Sequence, residues 1–245
     1  MPRLAFDDAN LLIFSGEDRL RFIDGLSSNK IDFNSTDVIN TLVLTTKAKI
    51  MAQLHLFMLN DMLISITISG DHVQLVNYLN SKILTQQVAI NDVTTLNYID
   101  LVYGENTDTV GVTVSEGLTK VNVNGNYGFE IYSVKQNRLP TSTDQQSFIN
   151  WRVENLIPWH GYEITSKVNP YQCGLNNQVH ENKGCYTGQE VLTRMRSRNK
   201  GMRELYSIDN VAISDDKITT KGTTNSLAIK PVSYTHLTLP TIDRV

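Results

Sequence analysis

At 245 residues, with 40% hydrophobic and 19% charged residues, the chain has the balance of a globular protein and room for one large domain or two ordinary ones. The longest apolar stretch, residues 62–68, is too short to cross a bilayer, and the opening Met-Pro-Arg-Leu-Ala-Phe-Asp-Asp lacks the apolar core of an export signal, so a reducing cytoplasm is the expected location. A net charge of −3 and a pI near 5.9 exclude broad nucleic-acid affinity; any such contact would need a local basic patch.

In chain order, residues 15–26 read as a helix capped by Ser15, with an apolar face of Leu20, Phe22, Ile23 and Leu26. Strands are predicted over 38–46, 49–58 and 62–68, the last two joined by an Asn60-Asp61 turn. Helical spacing returns over 71–83 at Val73, Val76, Leu79 and Ile83, after a Ser69-Gly70 start signal. Strands follow at 88–90, 95–102, 110–114, 119–123 and 128–134. Residues 135–145 then read as a loop and 147–155 as an amphipathic helix ended by Pro158. Runs of strands with inserted helices, rather than strict alternation, predict an α+β fold of mixed sheets.

The chemistry concentrates in Lys183-Gly-Cys-Tyr-Thr-Gly-Gln-Glu190. Cys185 sits between Gly184 and Gly188, which permit a tight turn, and residues 189–195 suit a short helix. A cysteine beside a helix start, a lysine and the cationic run Arg194, Arg196, Arg198, Lys200 and Arg203 forms thiolate more readily than a free one. The competing reading is a buried packing cysteine. That cationic run could meet nucleic acid or an acidic partner, or be a solvated face. Cys173 and Cys185 are too few for a disulfide framework, and with His180 they do not complete a metal site, so no stable metal is expected.

This octapeptide, with Lys183, Gly184, Cys185, Tyr186, Gly188, Gln189 and Glu190, resembles the signature of the YgfZ family, folate-binding proteins related to the aminomethyltransferase of the glycine cleavage system. Shorter likenesses follow in the same order: residues 16–26 to the family's first helix, 45–55 to its lysine-bearing strand pair, 125–130 to the turn-and-glutamate segment of the aminomethyltransferases, and Arg152-Val-Glu154 to the segment before the signature. The resemblance implies an aminomethyltransferase-like folate-binding region over 1–202, in two intertwined subdomains. An incomplete C-terminal β-barrel would follow over 203–231. It further implies tetrahydrofolate or a derivative as ligand, a functional thiol at Cys185, and support of iron–sulfur cluster assembly or repair and thereby of tRNA modification, with iron–sulfur client or assembly proteins as partners.

Folate joins a flat pterin, whose edge resembles that of guanine, to an acidic glutamate tail. A carboxylate suits the edge, aromatic faces suit the ring, and Lys or Arg suits the tail. Glu130 matches the family position for the pterin edge; as a residue it could equally be an exposed strand-end carboxylate. Phe148 and Trp151 are candidates for ring contact or for core, with Trp151 and Trp159 flanking the expected pocket. Arg152 and Glu154 could serve the ligand or form an ion pair, and Lys47 and Lys49 could hold the tail or be solvated. Two departures stand out. Ala9 aligns where family members carry a pocket tryptophan. Gln53 stands where the aminomethyltransferases carry a catalytic aspartate, and an amide exchanges no proton near neutral pH. A folate-dependent one-carbon transferase is therefore the alternative reading and a folate-binding accessory protein the first. Finally, residues 231–241 resemble read-through of a transposon-type sequencing adapter. Residues 232–245, His236 included, are expected to be non-native, and the shortened barrel to be weakly ordered.

Overall fold

The computed structural model describes residues 1–33, 37–104, 111–198, 201–212 and 218–232. Strands β1 (Arg3–Ala5) and β2 (Ala9–Ser15) belong to different sheets, and the chain crosses between them at residues 6–8. With β3 (Val38–Leu44), β4 (Ile50–Leu59), β5 (Met62–Ser69) and β6 (Ala89–Asp92), β2 forms a five-stranded antiparallel sheet in the order β3-β4-β5-β2-β6. With β7 (Tyr98–Tyr103), β8 (Gly111–Ser115), β9 (Leu118–Asn122) and β10 (Tyr127–Tyr132), β1 forms a second, in the order β1-β7-β10-β9-β8. The architecture is the α+β one expected.

The two sheets share one core. Leu11, Phe57, Ile64, Ile66 and Ile68 of the first sheet meet Leu101, Val121, Phe129 and Ile131 of the second. The other face of the first sheet carries Leu12, Phe14, Leu54, Leu56 and Leu63, covered by helices α1 (Arg19–Leu26) and α2 (His72–Ser81) through Phe22, Ile23, Leu75 and Leu79. A strand apolar on both faces reads as a continuous run and shows no alternation. Ala9-Asn-Leu-Leu-Ile-Phe-Ser15, to which the sequence reading assigns no element, is likewise apolar on both faces and lies inside its sheet, between β5 and β6.

Local signals shift three boundaries. Ser15 closes β2, and α1 starts at Arg19 after Gly16, whose φ of +98° and near contact with the Gln87 carbonyl admit no side chain. The cap of α2 is Asp71, which accepts from Gln74 N at 2.9 Å. Helix α3 (Gln145–Glu154) begins inside the predicted polar loop because Asp144 accepts from Ser147 N at 2.7 Å.

A third antiparallel sheet comprises β11 (Arg203–Asp209), β12 (Ile218–Lys221) and β13 (Asn225–Pro231), in the order β11-β13-β12. Among the described residues it is open, not a closed barrel. The sheet is tied to the rest of the chain by side-chain contacts. Arg152 bonds Thr220, Asn150 bonds Thr223 through both its amide nitrogen and its oxygen, and Leu205 packs on Gly174. Residues 233–245, which hold nearly all of the segment expected to be non-native, lie outside the described residues. Among those described, no helix is long and apolar enough to cross a membrane.

Candidate ligand cavity and signature loop

A cavity of about 820 Å³ opens where the 6–8 crossing, the start of β4, the end of β5, α3 and the 159–166 loop converge. Phe6, Phe148, Trp159 and Tyr162 bring aromatic rings to it: Phe6 lies 5.5 Å from Trp159 between centroids, and Phe148 meets Trp159 edge-on at 4.8 Å. Asp7, Asp8 and Asp71 bring carboxylates to it. Its volume is in the range that holds a drug-sized ligand, and the mix of aromatic wall and few polar groups is typical of such sites.

Arg152 is the one lysine or arginine among the lining residues, and its charge is already neutralised. Its Nη1 donates to Glu163 Oε2 at 2.9 Å and its Nη2 to Thr220 Oγ1; that hydroxyl in turn donates to Glu163 Oε1 at 2.6 Å. The backbone N–H of Trp159 donates to the same carboxylate at 3.1 Å, and the guanidinium lies 4.3 Å from the Tyr162 ring centroid. Arg152 and Glu163 are both fully buried, and burial pulls the arginine below its usual pKa while Glu163 opposes this. The ion-pair partner is therefore Glu163, not Glu154, which is exposed. Arg152 shapes the cavity wall and positions the Trp159 loop, with no charge left over for a ligand's acid tail.

Two buried imidazoles lie in or near the wall. His160 lines the cavity and burial pushes it down to about 4. His55, on β4, is pushed down to about 3 by burial and then by His160, and its Nδ1 lies 2.7 Å from Asn40 Oδ1. Gln53 shares that face of β4, is 4% exposed and does not line the cavity.

The other candidates divide. Phe148 lines the cavity, whereas Trp151 packs on Tyr103 at 5.0 Å and does not. Trp159 does line it. Ala9 is buried in β2 and does not; an aromatic ring comes from Phe6 instead, three residues earlier. Lys47 is exposed on the turn that follows Thr45, a lining residue, and Lys49 Nζ donates to the Lys167 carbonyl at 2.6 Å. Glu130 is not among the lining residues. Phe129 and Ile131 enter the shared core, so alternation along β10 turns Glu130 to the opposite face of its sheet. There it accepts from Arg3 and, at 2.6 Å, from the Tyr132 hydroxyl, with Lys120 at 3.4 Å. Burial raises its pKa, but Tyr132 and Arg3 outweigh this and hold the carboxyl below its usual value. Sequence reasoning missed Phe6, Asp7, Asp8 and Asp71. Their only trace was a short aromatic-acidic run near the N-terminus and a helix-capping aspartate.

The octapeptide forms a loop that its own side chains fasten. Lys183 Nζ donates to the carbonyls of Asp24, Ser27 and Asn29 at 2.6–2.9 Å and pairs with Asp24 Oδ1 at 3.0 Å. Its ammonium thus closes the C-terminal end of α1, where helix carbonyls lack internal partners. Burial lowers the Lys183 pKa, against the pull of Asp24. Lys183 is thereby engaged away from the thiol it was expected to activate. Tyr186 is buried in a third core with Tyr171, Leu175 and Leu192, and Gln189 Nε2 donates to the Lys183 carbonyl. Gly188, at φ +86°, precedes α4 (Gln189–Ser197) and lies so near the β3–β4 turn that a Cβ would sit 2.7 Å from the Thr45 carbonyl. Glu190 pairs with Arg194 on the surface at 2.6 Å. Within this frame Gly184 and Cys185 are exposed. Cys173 is the opposite case: buried, its thiol is pushed up to about 12. Among the described residues, no three His, Cys, Asp or Glu side chains gather so as to hold a metal ion.

The fold defined by these sheets is aminomethyltransferase-like. The chain superposes on the crystal structure of the glycine cleavage system aminomethyltransferase T from Bartonella henselae with a TM-score of 0.74 and 13% identity, over 94% of this chain and 78% of that one. At that identity the likeness is one of fold. No protein-family model matches the sequence. No curated protein matches it either.

Proposed function

We propose that the protein binds a reduced folate and acts as an accessory factor in the assembly or repair of iron–sulfur enzymes, and through them in tRNA modification, with Cys185 as its working thiol. The observation that carries the folate half is the cavity of about 820 Å³, lined by Phe6, Phe148 and Trp159 and by three aspartates. A pterin offers a flat ring to the aromatic groups and a row of donors to a carboxylate. Asp7, Asp8 and Asp71 are the acceptors this reading uses, in place of Glu130. The accessory half rests on the octapeptide's resemblance and on the exposure of Cys185 in a fastened loop.

A second reading, a folate-dependent one-carbon transferase, is favoured by the likeness to an aminomethyltransferase structure. Gln53 weighs against it, since an amide at that strand position performs no acid–base step.

Titration with tetrahydrofolate, followed by tryptophan fluorescence, tests the binding. Trp159 is the reporter, so Trp159→Phe is expected to remove most of the signal and Trp151→Phe little of it. No saturable change, with calorimetry also silent, would exclude the reading. The second half is tested in a deletion strain. Cys185→Ser is expected to fold, keep folate affinity and fail to restore iron–sulfur enzyme activity; full rescue would show the thiol to be dispensable. Methylene transfer by the purified protein would favour the transferase.

A further inference from the structure

No residue of the third sheet lines the cavity, yet two of the cavity's aromatic walls are tied to that sheet. The first tie runs through Thr220 on β12, which is 2% exposed. Its hydroxyl accepts from Arg152 Nη2 and donates to Glu163 Oε1 at 2.6 Å. The other oxygen of that carboxylate accepts from the backbone N–H of Trp159 at 3.1 Å. The second tie runs through the turn between β12 and β13. Asn150, on α3 between Phe148 and Arg152, donates from Nδ2 to Thr223 Oγ1 at 3.0 Å and accepts at Oδ1 from Thr223 N at 2.8 Å. The turn fits too closely for a side chain at Gly222, where a Cβ would lie 2.5 Å from the Asn225 carbonyl and 3.2 Å from Asn150 Oδ1. The sheet thus clasps both α3, which carries Phe148, and the 157–163 turn, which carries Trp159. The rings of those two residues meet at 4.8 Å in the cavity wall.

We infer that the third sheet belongs to the ligand site without touching the ligand, and that Thr220 is its positioning residue. The hydroxyl sets Arg152 and Glu163, and through them the Trp159 wall, so that filling the cavity and docking the sheet stabilise one another. This rests on the folate reading above and adds a remote residue on which affinity depends. The chemistry is that of one hydroxyl bonded to both members of a fully buried ion pair. Valine has the same shape and neither function. It would leave a guanidinium donor and a carboxylate oxygen unmet where no water reaches, and so release the turn that holds Trp159. Coupling of this kind is reciprocal: whatever the sheet does to ligand affinity, the ligand does to the sheet.

The test uses the full chain and monoglutamyl tetrahydrofolate. Thr220→Val is expected to lower affinity about tenfold, whereas Thr220→Ser, which keeps the hydroxyl, stays within about twofold of the wild type. Hydrogen exchange on the wild type gives the reciprocal reading. Saturating ligand should slow exchange over residues 218–231 more than over 111–122, the β8–β9 hairpin, which does not line the cavity. A purely structural role for Thr220 predicts a less stable valine variant whose folded fraction binds as the wild type does. That result overturns the inference and leaves the folate reading standing, as does exchange over 218–231 slowed no more than over 111–122. If the valine variant does not fold, the exchange comparison decides. Absence of binding by the wild type overturns both.

Discussion

Glu130 and Cys185 show how a residue's surroundings decide what its chemistry serves. The Glu130 carboxylate meets Arg3 at 2.7 Å, the Tyr132 hydroxyl at 2.6 Å and Lys120 at 3.4 Å, all within its own sheet. It is 4% exposed and faces away from the shared core. Glu130→Gln keeps the shape and removes the charge. It is expected to lower stability by about 1–3 kcal/mol while leaving folate affinity unchanged, as measured by denaturant unfolding and by ligand titration. A loss of affinity in a variant of full stability would return Glu130 to the binding site. Cys185 differs in kind from Cys173: one thiol is exposed on a loop, the other buried and pushed up to about 12, so of the two Cys185 is the one a reagent can reach.

At the scale of elements, the loop over 183–190 and the end of α1 form one unit. Lys183 satisfies three backbone carbonyls and Asp24, Ser28 Oγ donates to the Gln178 carbonyl at 2.6 Å, and His180 N donates to the Ser28 carbonyl at 2.9 Å. Removing the ammonium leaves those acceptors without their donor in a partly buried place. Lys183→Met is accordingly expected to cost about 2–4 kcal/mol. Hydrogen exchange should rise together over residues 24–29 and 178–188. If exchange rises in the signature loop alone, the two segments are not coupled through Lys183. The motif that looks catalytic in sequence is thus largely a fastening, and its glycines and tyrosine hold one cysteine outward.

For the whole molecule, acidity is the condition to which this packing is most exposed. His55 and His160 are neutral when folded, at about 3 and about 4, whereas unfolded histidine titrates near 6.5. Between those values the unfolded chain binds more protons, so stability is fully present above about pH 6.5 and falls as pH drops toward 4. Glu130, held below its usual value, adds loss in the same direction at lower pH. The urea midpoint is expected to be flat from pH 7 to 8 and to fall steadily from pH 6.5 to 4.5, with His160→Gln reducing the slope. A midpoint that does not move across that interval would show that neither ring is buried in neutral form.

Much of this was legible in the chain. Strands β4 and β5, the Asn60 turn with its φ of +53°, and the helical periods of α2 and α3 arise from local pattern, because each apolar face is contiguous in sequence or repeats at a fixed spacing. The octapeptide's turn was legible too, since Gly188, at φ +86°, favours it wherever the loop lies, whereas the exposure of Cys185 was left open. What local pattern could not reveal depends on contacts between distant segments. β2 takes its place by pairing with β5 and β6, both far along the chain. Glu163 becomes the partner of Arg152 only when the 157–163 turn folds back on α3, and Thr220 joins them from 57 residues further on. Phe6, Phe148 and Trp159 line one cavity only because the N-terminal crossing, α3 and the following loop meet at one edge of the two sheets. Whether a carboxylate serves the ligand or its own sheet turns on which face of a strand it occupies. Alternation makes Glu130 the opposite of Phe129, but which face meets the core is decided by packing of the whole sheet.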